Sequence, residues 1–172
     1  MILRSLTLGV CVCGLLGAAS ATMNQLNRTD RAFLKVAAET DMREAHEGRM
    51  AENKAAKQDV RAFGQQLVQD QSNSYGELLE LGQKTGETIP RGINVRTDRT
   101  VEDLTHAKGA QFDRRFIQDE IRNDQQTIAL FRREADHGQN PDVKAWAQKT
   151  LPTLQGHLQK AKQLDHAATH KG

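Results

Sequence analysis

The stretch Asp59-Val60-Arg61-Ala62-Phe63-Gly64-Gln65 returns 83 positions later as Asp142-Val143-Lys144-Ala145-Trp146-Ala147-Gln148. Each copy begins with an acid, the residue type favoured beside the positive end of a helix dipole, and continues into helix-forming residues. The period is far longer than the roughly 20 to 50 residues of solenoid repeats. It matches a helical hairpin that recurs once, so the chain is constrained to two helical hairpins: an all-α, antiparallel up-and-down four-helix bundle.

The first residues do not belong to that bundle. Arg4 precedes an apolar run from Leu6 to Leu16, and small residues follow up to Ala19-Ser20-Ala21. This pattern predicts a secretory signal cleaved after Ala21, with residues 22–166 as the bundle domain and 167–172 as a frayed tail. The run is shorter than the roughly 18 to 20 residues that span a membrane, and no later segment is apolar enough, so a soluble, exported, periplasmic protein is expected. Both cysteines, Cys11 and Cys13, fall inside the signal, and the valines before each do not fit lipoprotein processing. Without a disulfide, helix packing must hold the fold.

The chain carries 24 Lys and Arg against 22 Asp and Glu, a formal charge of +2, which falls to +1 without Arg4. Basic residues do cluster at Arg91, Arg96 and Arg99 and at the pairs Arg114-Arg115 and Arg132-Arg133, but acids are interspersed. There is no electrostatic case for nucleic acid. With only five Phe, one Tyr and one Trp, the core must rest on aliphatic side chains and alanine, and Phe63 and Trp146, at matching places in the repeat, read as its anchors.

Local signals place four long helices. The first is expected from Asp30 to Asn53, capped by Thr29 or Asp30, with Leu34, Ala38, Ala45 and Gly48 on one stripe. The second starts near Asp59, buries Val60, Phe63, Leu67, Leu78 and Leu81, and stops near Gly86. A link containing Pro90 leads to Thr100 and Asp103, which resemble a capping box for a short extra helix that Gly109 interrupts. The third long helix is expected from Gln111 to Asp136, with the seam Ile117, Ile121, Asp124, Ile128 and Phe131. His137-Gly138 closes it, and Asn140-Pro141-Asp142 opens the fourth. There Leu151, Leu154, Leu158 and Ala161 form the inner face, and Pro152 removes one backbone hydrogen bond and is expected to bend the helix.

Phe112-Asp113-Arg114-Arg115-Phe116, the two helix openings, and Leu151-Pro152-Thr153-Leu154-Gln155-Gly156-His157-Leu158 together resemble an exported bacterial family of unknown function, numbered 4142, over Arg31 to Leu164. The resemblance implies a ferritin-like bundle in the periplasm or cell envelope and promises no activity. The family pattern has a Glu in the first helix, a His after Asp in the second, a His midway along the third, and the His of the Leu-Pro segment. Glu44 and His157 match. Gln71, after Asp70, and Asp124 stand at the other two places.

The residues themselves draw attention to the same positions. Asp124 interrupts an apolar seam, His157 borders the Leu154 to Ala161 stripe, Gln71 keeps register on its helix, Asp41 lies on the first stripe and Glu44 flanks it. Gln71 lies 11 residues after Val60 and His157 lies 14 after Val143, one turn apart in equivalent halves, so the two can meet inside the bundle. Either Glu44, Asp124 and His157, with Asp41, hold one divalent metal such as zinc, iron or manganese, or these residues satisfy one another as a buried hydrogen-bond network. A Gln amide is a poor ligand for such metals.

Carboxylate bundles that activate oxygen use a Glu-x-x-His pair on each of two helices, whereas Leu154 lies three before His157 and Val68 three before Gln71. Di-iron chemistry is therefore not expected. His46, His106 and His137 are scattered, and His166 with His170 forms an i, i+4 pair near the tail that reads as solvated. No nucleophile constellation or phosphate-cradling loop is present. The sequence thus favours a non-enzymatic envelope protein that needs no cofactor and binds a protein partner or a second copy of itself. The alternative is a ferritin-like binder of a divalent metal.

Overall fold

The computed structural model describes residues 26–93 and 99–169. The expected signal segment, Cys11, Cys13, Arg96 and His170 lie outside them. Among the described residues the chain is all helix, in the order α1 (Arg28–Lys54), α2 (Gln58–Thr85), α3 (Arg99–His106), α4 (Gly109–His137) and α5 (Pro141–Thr169), with one isolated bridge between Ala55 and Gly109 and no strand. None of these helices is long and apolar enough to cross a membrane.

The ends of the helices follow from local chemistry. α1 begins two residues before the expected start, because Asn27 rather than Thr29 or Asp30 is the cap: its Oδ1 accepts from Asp30 N at 2.8 Å. α2 ends on Gly86, whose φ of 73° is the left-handed turn that glycine adopts without penalty. Asn140 opens α5 as expected, accepting from Asp142 N at 3.0 Å and Val143 N at 3.2 Å. Gly109 does not separate two helices by itself; at φ 57° it is the first residue of α4, two residues ahead of the expected start. α5 runs without a break past Pro152 and on to Thr169, three residues into the stretch expected to fray.

The start of α2 has no side-chain cap of its own. Asp113, reaching over from α4, accepts from Ala56 N at 2.9 Å and Lys57 N at 3.0 Å instead. The Phe112-Asp113 pair therefore ties the turn between α1 and α2 to α4 while Phe112 fills the core beneath it.

α1 packs chiefly on α2 and α4 on α5, and contacts of α1 with α4 and of α2 with α5 join the two hairpins. The α2–α5 seam pairs Lys84 with Asp142, Glu77 with Lys149 and Asp70 with His157, rising on one helix as it falls on the other. The two helices are thus antiparallel. α1 and α2 approach closely where Gly48 faces Gly64: a Cβ added at Gly64 would lie 2.6 Å from the Gly48 carbonyl oxygen.

The apolar core comes in two parts. One contains Phe33, Leu34, Leu78, Phe131, Trp146 and Leu154, and the other Phe63, Leu67, Leu104, Phe112, Phe116 and Ile117. Phe63 and Trp146, the paired residues of the repeat, are both core anchors, one in each part. Asp41, Glu44, Glu47, Gln71, Glu120, Asp124 and His157 are buried along the helices between the two. The seam expected on α4 is correct except at one step: Ile121 is half-buried, and its neighbour Glu120 is fully buried. On α5, Leu151 and Leu158 are half-buried, and His157 sits at the centre of the inner face rather than at its border.

Candidate metal centre

Three long helices each bring one ligand type to the middle of the molecule. Glu44 from α1, Asp124 from α4 and His157 from α5 are all buried, and each offers one ligand atom within 4.8 Å of the other two. α2 supplies supporting groups: Gln71 Nε2 donates to Glu44 Oε2, and Asp70 Oδ2 lies 2.8 Å from His157 Nε2. Asp70 thus engages Nε2, and in the neutral imidazole that carries its proton there Nδ1 keeps its lone pair. That Nδ1 is buried and has no hydrogen-bond partner.

The other groups are no better satisfied. Neither oxygen of Asp124 and neither oxygen of Glu120 has a hydrogen-bond partner, and Glu44 Oε1 has none beyond Arg43 Nη2 at 3.9 Å. Arg43 donates to both oxygens of Glu47, at 3.2 and 3.4 Å. Buried polar groups are almost always paired, because leaving one unpaired costs roughly 1 to 3 kcal/mol. The Asp124 and Glu120 carboxylates thus stand outside the Gln71–Glu44 and Asp70–His157 bonds.

Electrostatics point the same way. Burial, and then the charge of Glu44, raise the Asp124 pKa from 3.8 to about 8, with Arg43 opposing. Burial drives Glu120 well above the usual carboxylate range, reinforced by Glu44, Glu47 and Asp124. Glu44 is raised by burial, against the pull of Arg43, His157 and Gln71. Asp41 is also raised well above its ordinary value by burial, while Ser74 works in the other direction. Acids so crowded are held neutral by protons or neutralised by a cation.

Of the residues singled out from the sequence, Glu44, Asp124 and His157 come together. Asp41 is buried on α1 but is not one of the trio, and Gln71 reaches it through Glu44. Glu47, Glu120 and the supporting role of Asp70 were missed. Glu120 lies one turn before Asp124 on α4, and Glu47 one turn after Glu44 on α1, each on the same side of its helix as the residue it accompanies.

The family model described as a domain of unknown function, DUF4142, matches residues 16–164. The chain belongs to the DUF4142 family. A search of curated proteins finds no match. Among solved structures, the DUF4142 chain is similar to the crystal structure of a DUF305 fragment from Deinococcus radiodurans, with a TM-score of 0.74 at 14% identity, over 83% of this chain and 99% of that one. At that identity the likeness concerns the fold alone.

Proposed function

We propose that this DUF4142 protein is an exported, non-catalytic binder of one divalent transition metal, held inside a ferritin-like four-helix bundle by Glu44, Asp124 and His157. The observation that carries this reading is the convergence of three buried ligand atoms within 4.8 Å, with His157 Nδ1 and both Asp124 oxygens lacking any other partner. One imidazole nitrogen and two carboxylates suit zinc, iron or manganese. The two carboxylate charges of Glu44 and Asp124 balance a dication. With Leu154 three residues before His157 and Val68 three before Gln71, neither half of the bundle has a Glu-x-x-His pair there, which argues for one metal and against oxygen activation.

Titration of the metal-free protein with Zn²⁺ in a calorimeter tests the reading. About one ion binds per chain, and the heat is lost in Asp124→Ala and His157→Ala. Because Asp124 binds its proton up to about pH 8, zinc binding at pH 7 releases a proton, and the apparent affinity falls as pH drops below 8. Zinc binding that survives both substitutions would contradict the assignment.

A further inference from the structure

A cleft of about 160 Å³ lies between α2 and α5, lined among others by Asp70, Gln71, Ser74, Glu77, Lys149 and Thr153. Two of these residues connect it to the buried groups: Asp70 bonds to His157 and Gln71 to Glu44. Asp70 and Gln71 thus line the cleft and also bond to two of the three residues of the centre. At its rim the half-buried Glu77 carboxylate meets the exposed Lys149 Nζ at 2.7 Å.

We infer that the α2–α5 cleft is an outer cation site, through which a hydrated divalent metal ion enters and leaves the Glu44–Asp124–His157 centre. This rests on the metal-binding reading above. The volume accommodates a cation that still carries several waters. Carboxylate, amide and hydroxyl oxygens from Asp70, Gln71, Ser74 and Thr153 can replace those waters one by one, as hard oxygen ligands do. Gln71 is the moving part: turning its amide away from Glu44 frees Oε2 beside Oε1, which has no hydrogen-bond partner, so both oxygens face the arriving ion. Lys149 is the one cation among these lining residues and opposes entry.

Stopped-flow mixing of the metal-free full chain with Co²⁺, read by the visible absorption of the bound ion, tests the route. Lys149→Glu is expected to raise the association rate about tenfold at low ionic strength, with the gain shrinking as salt is added. Thr153→Trp, which fills the cleft, slows association and dissociation by a common factor while the final occupancy stays that of the unaltered protein. Val36→Trp, at an exposed α1 position outside the cleft, changes neither rate. Full Co²⁺ occupancy with unchanged rates in both cleft variants would overturn the route and leave the centre standing. No Co²⁺ binding by the unaltered protein would overturn both.

Discussion

Asp70 Oδ2 lies 2.8 Å from His157 Nε2, across the α2–α5 seam and 87 residues away in sequence. This contact engages one imidazole nitrogen and leaves the other, Nδ1, without a hydrogen-bond partner. Outer partners of this kind typically contribute 10- to 100-fold to metal affinity. Asp70→Asn should therefore weaken Zn²⁺ binding by about 10- to 100-fold in calorimetry. The melting temperature of the metal-free protein should move little, since Asp70 is partly exposed. An unchanged affinity would show that the Asp70 carboxylate does not support the site.

The metal-free protein should lose stability as pH rises. With its folded-state pKa raised to about 8, Asp124 contributes stability that is complete below its unfolded value of 3.8 and is lost as pH climbs through about 8. Urea melts in a chelating buffer should show a decline of up to about 1.4 kcal/mol per pH unit between pH 5 and 8. Asp124→Asn should flatten the slope, and saturating Zn²⁺ should reverse it. A pH-independent midpoint for the unaltered protein would contradict the burial of these acids.

A second acid titrates at the end of the molecule. Burial, followed by the charge of Asp30 and a hydrogen bond to it, raises Glu134 from 4.5 to about 7. Asp30 in turn accepts from Gln139 N at 3.2 Å and Asn140 N at 2.9 Å, holding the turn between α4 and α5 against α1. Protonated Glu134 supports that contact, so its stabilisation is complete below pH 4.5 and lost as pH rises through about 7. Glu134→Gln keeps a donor at all pH values. It should match the unaltered protein in urea midpoint at pH 5 and exceed it at pH 8, by at most about 3 kcal/mol.

Two glycine substitutions should act in opposite directions. Alanine at Gly64 would put a methyl 2.6 Å from the Gly48 carbonyl oxygen and 2.7 Å from Ala51 Cβ, forcing α1 and α2 apart at a cost of roughly 1 to 3 kcal/mol. Alanine at Gly76, which meets nothing within 4 Å, should stabilise α2 by about 0.5 to 1 kcal/mol. Chemical denaturation of both variants checks the close packing of the first hairpin.

The parts of the fold legible in the sequence were those set by near neighbours. Asn140-Pro141-Asp142 and Gly86 marked helix ends because capping is a matter of a few adjacent residues, and the stripes of α1 and α2 followed from aliphatic spacing. Asn27 was passed over because Thr29 and Asp30 offer similar capping chemistry two and three residues later. On α4 the strict 4-3 stripe selected Ile121 where the helix buries Glu120, since a charged residue beside an isoleucine reads as the solvated one of the two. Only knowledge that the facing helices also bring acids to this level reverses that choice. The supporting contact of Asp70 depends on the α2–α5 register, which no local pattern encodes.

The central claim is that Glu44, Asp124 and His157 form a working metal site. Metal analysis of the protein purified from its native compartment without added metal is its most direct test, run beside the Asp124→Ala/His157→Ala variant. The account predicts close to one transition-metal ion per chain in the unaltered protein and loss of that ion in the variant, as a dedicated site should fill nearly stoichiometrically. Less than about 0.1 ion per chain in the unaltered protein would contradict it.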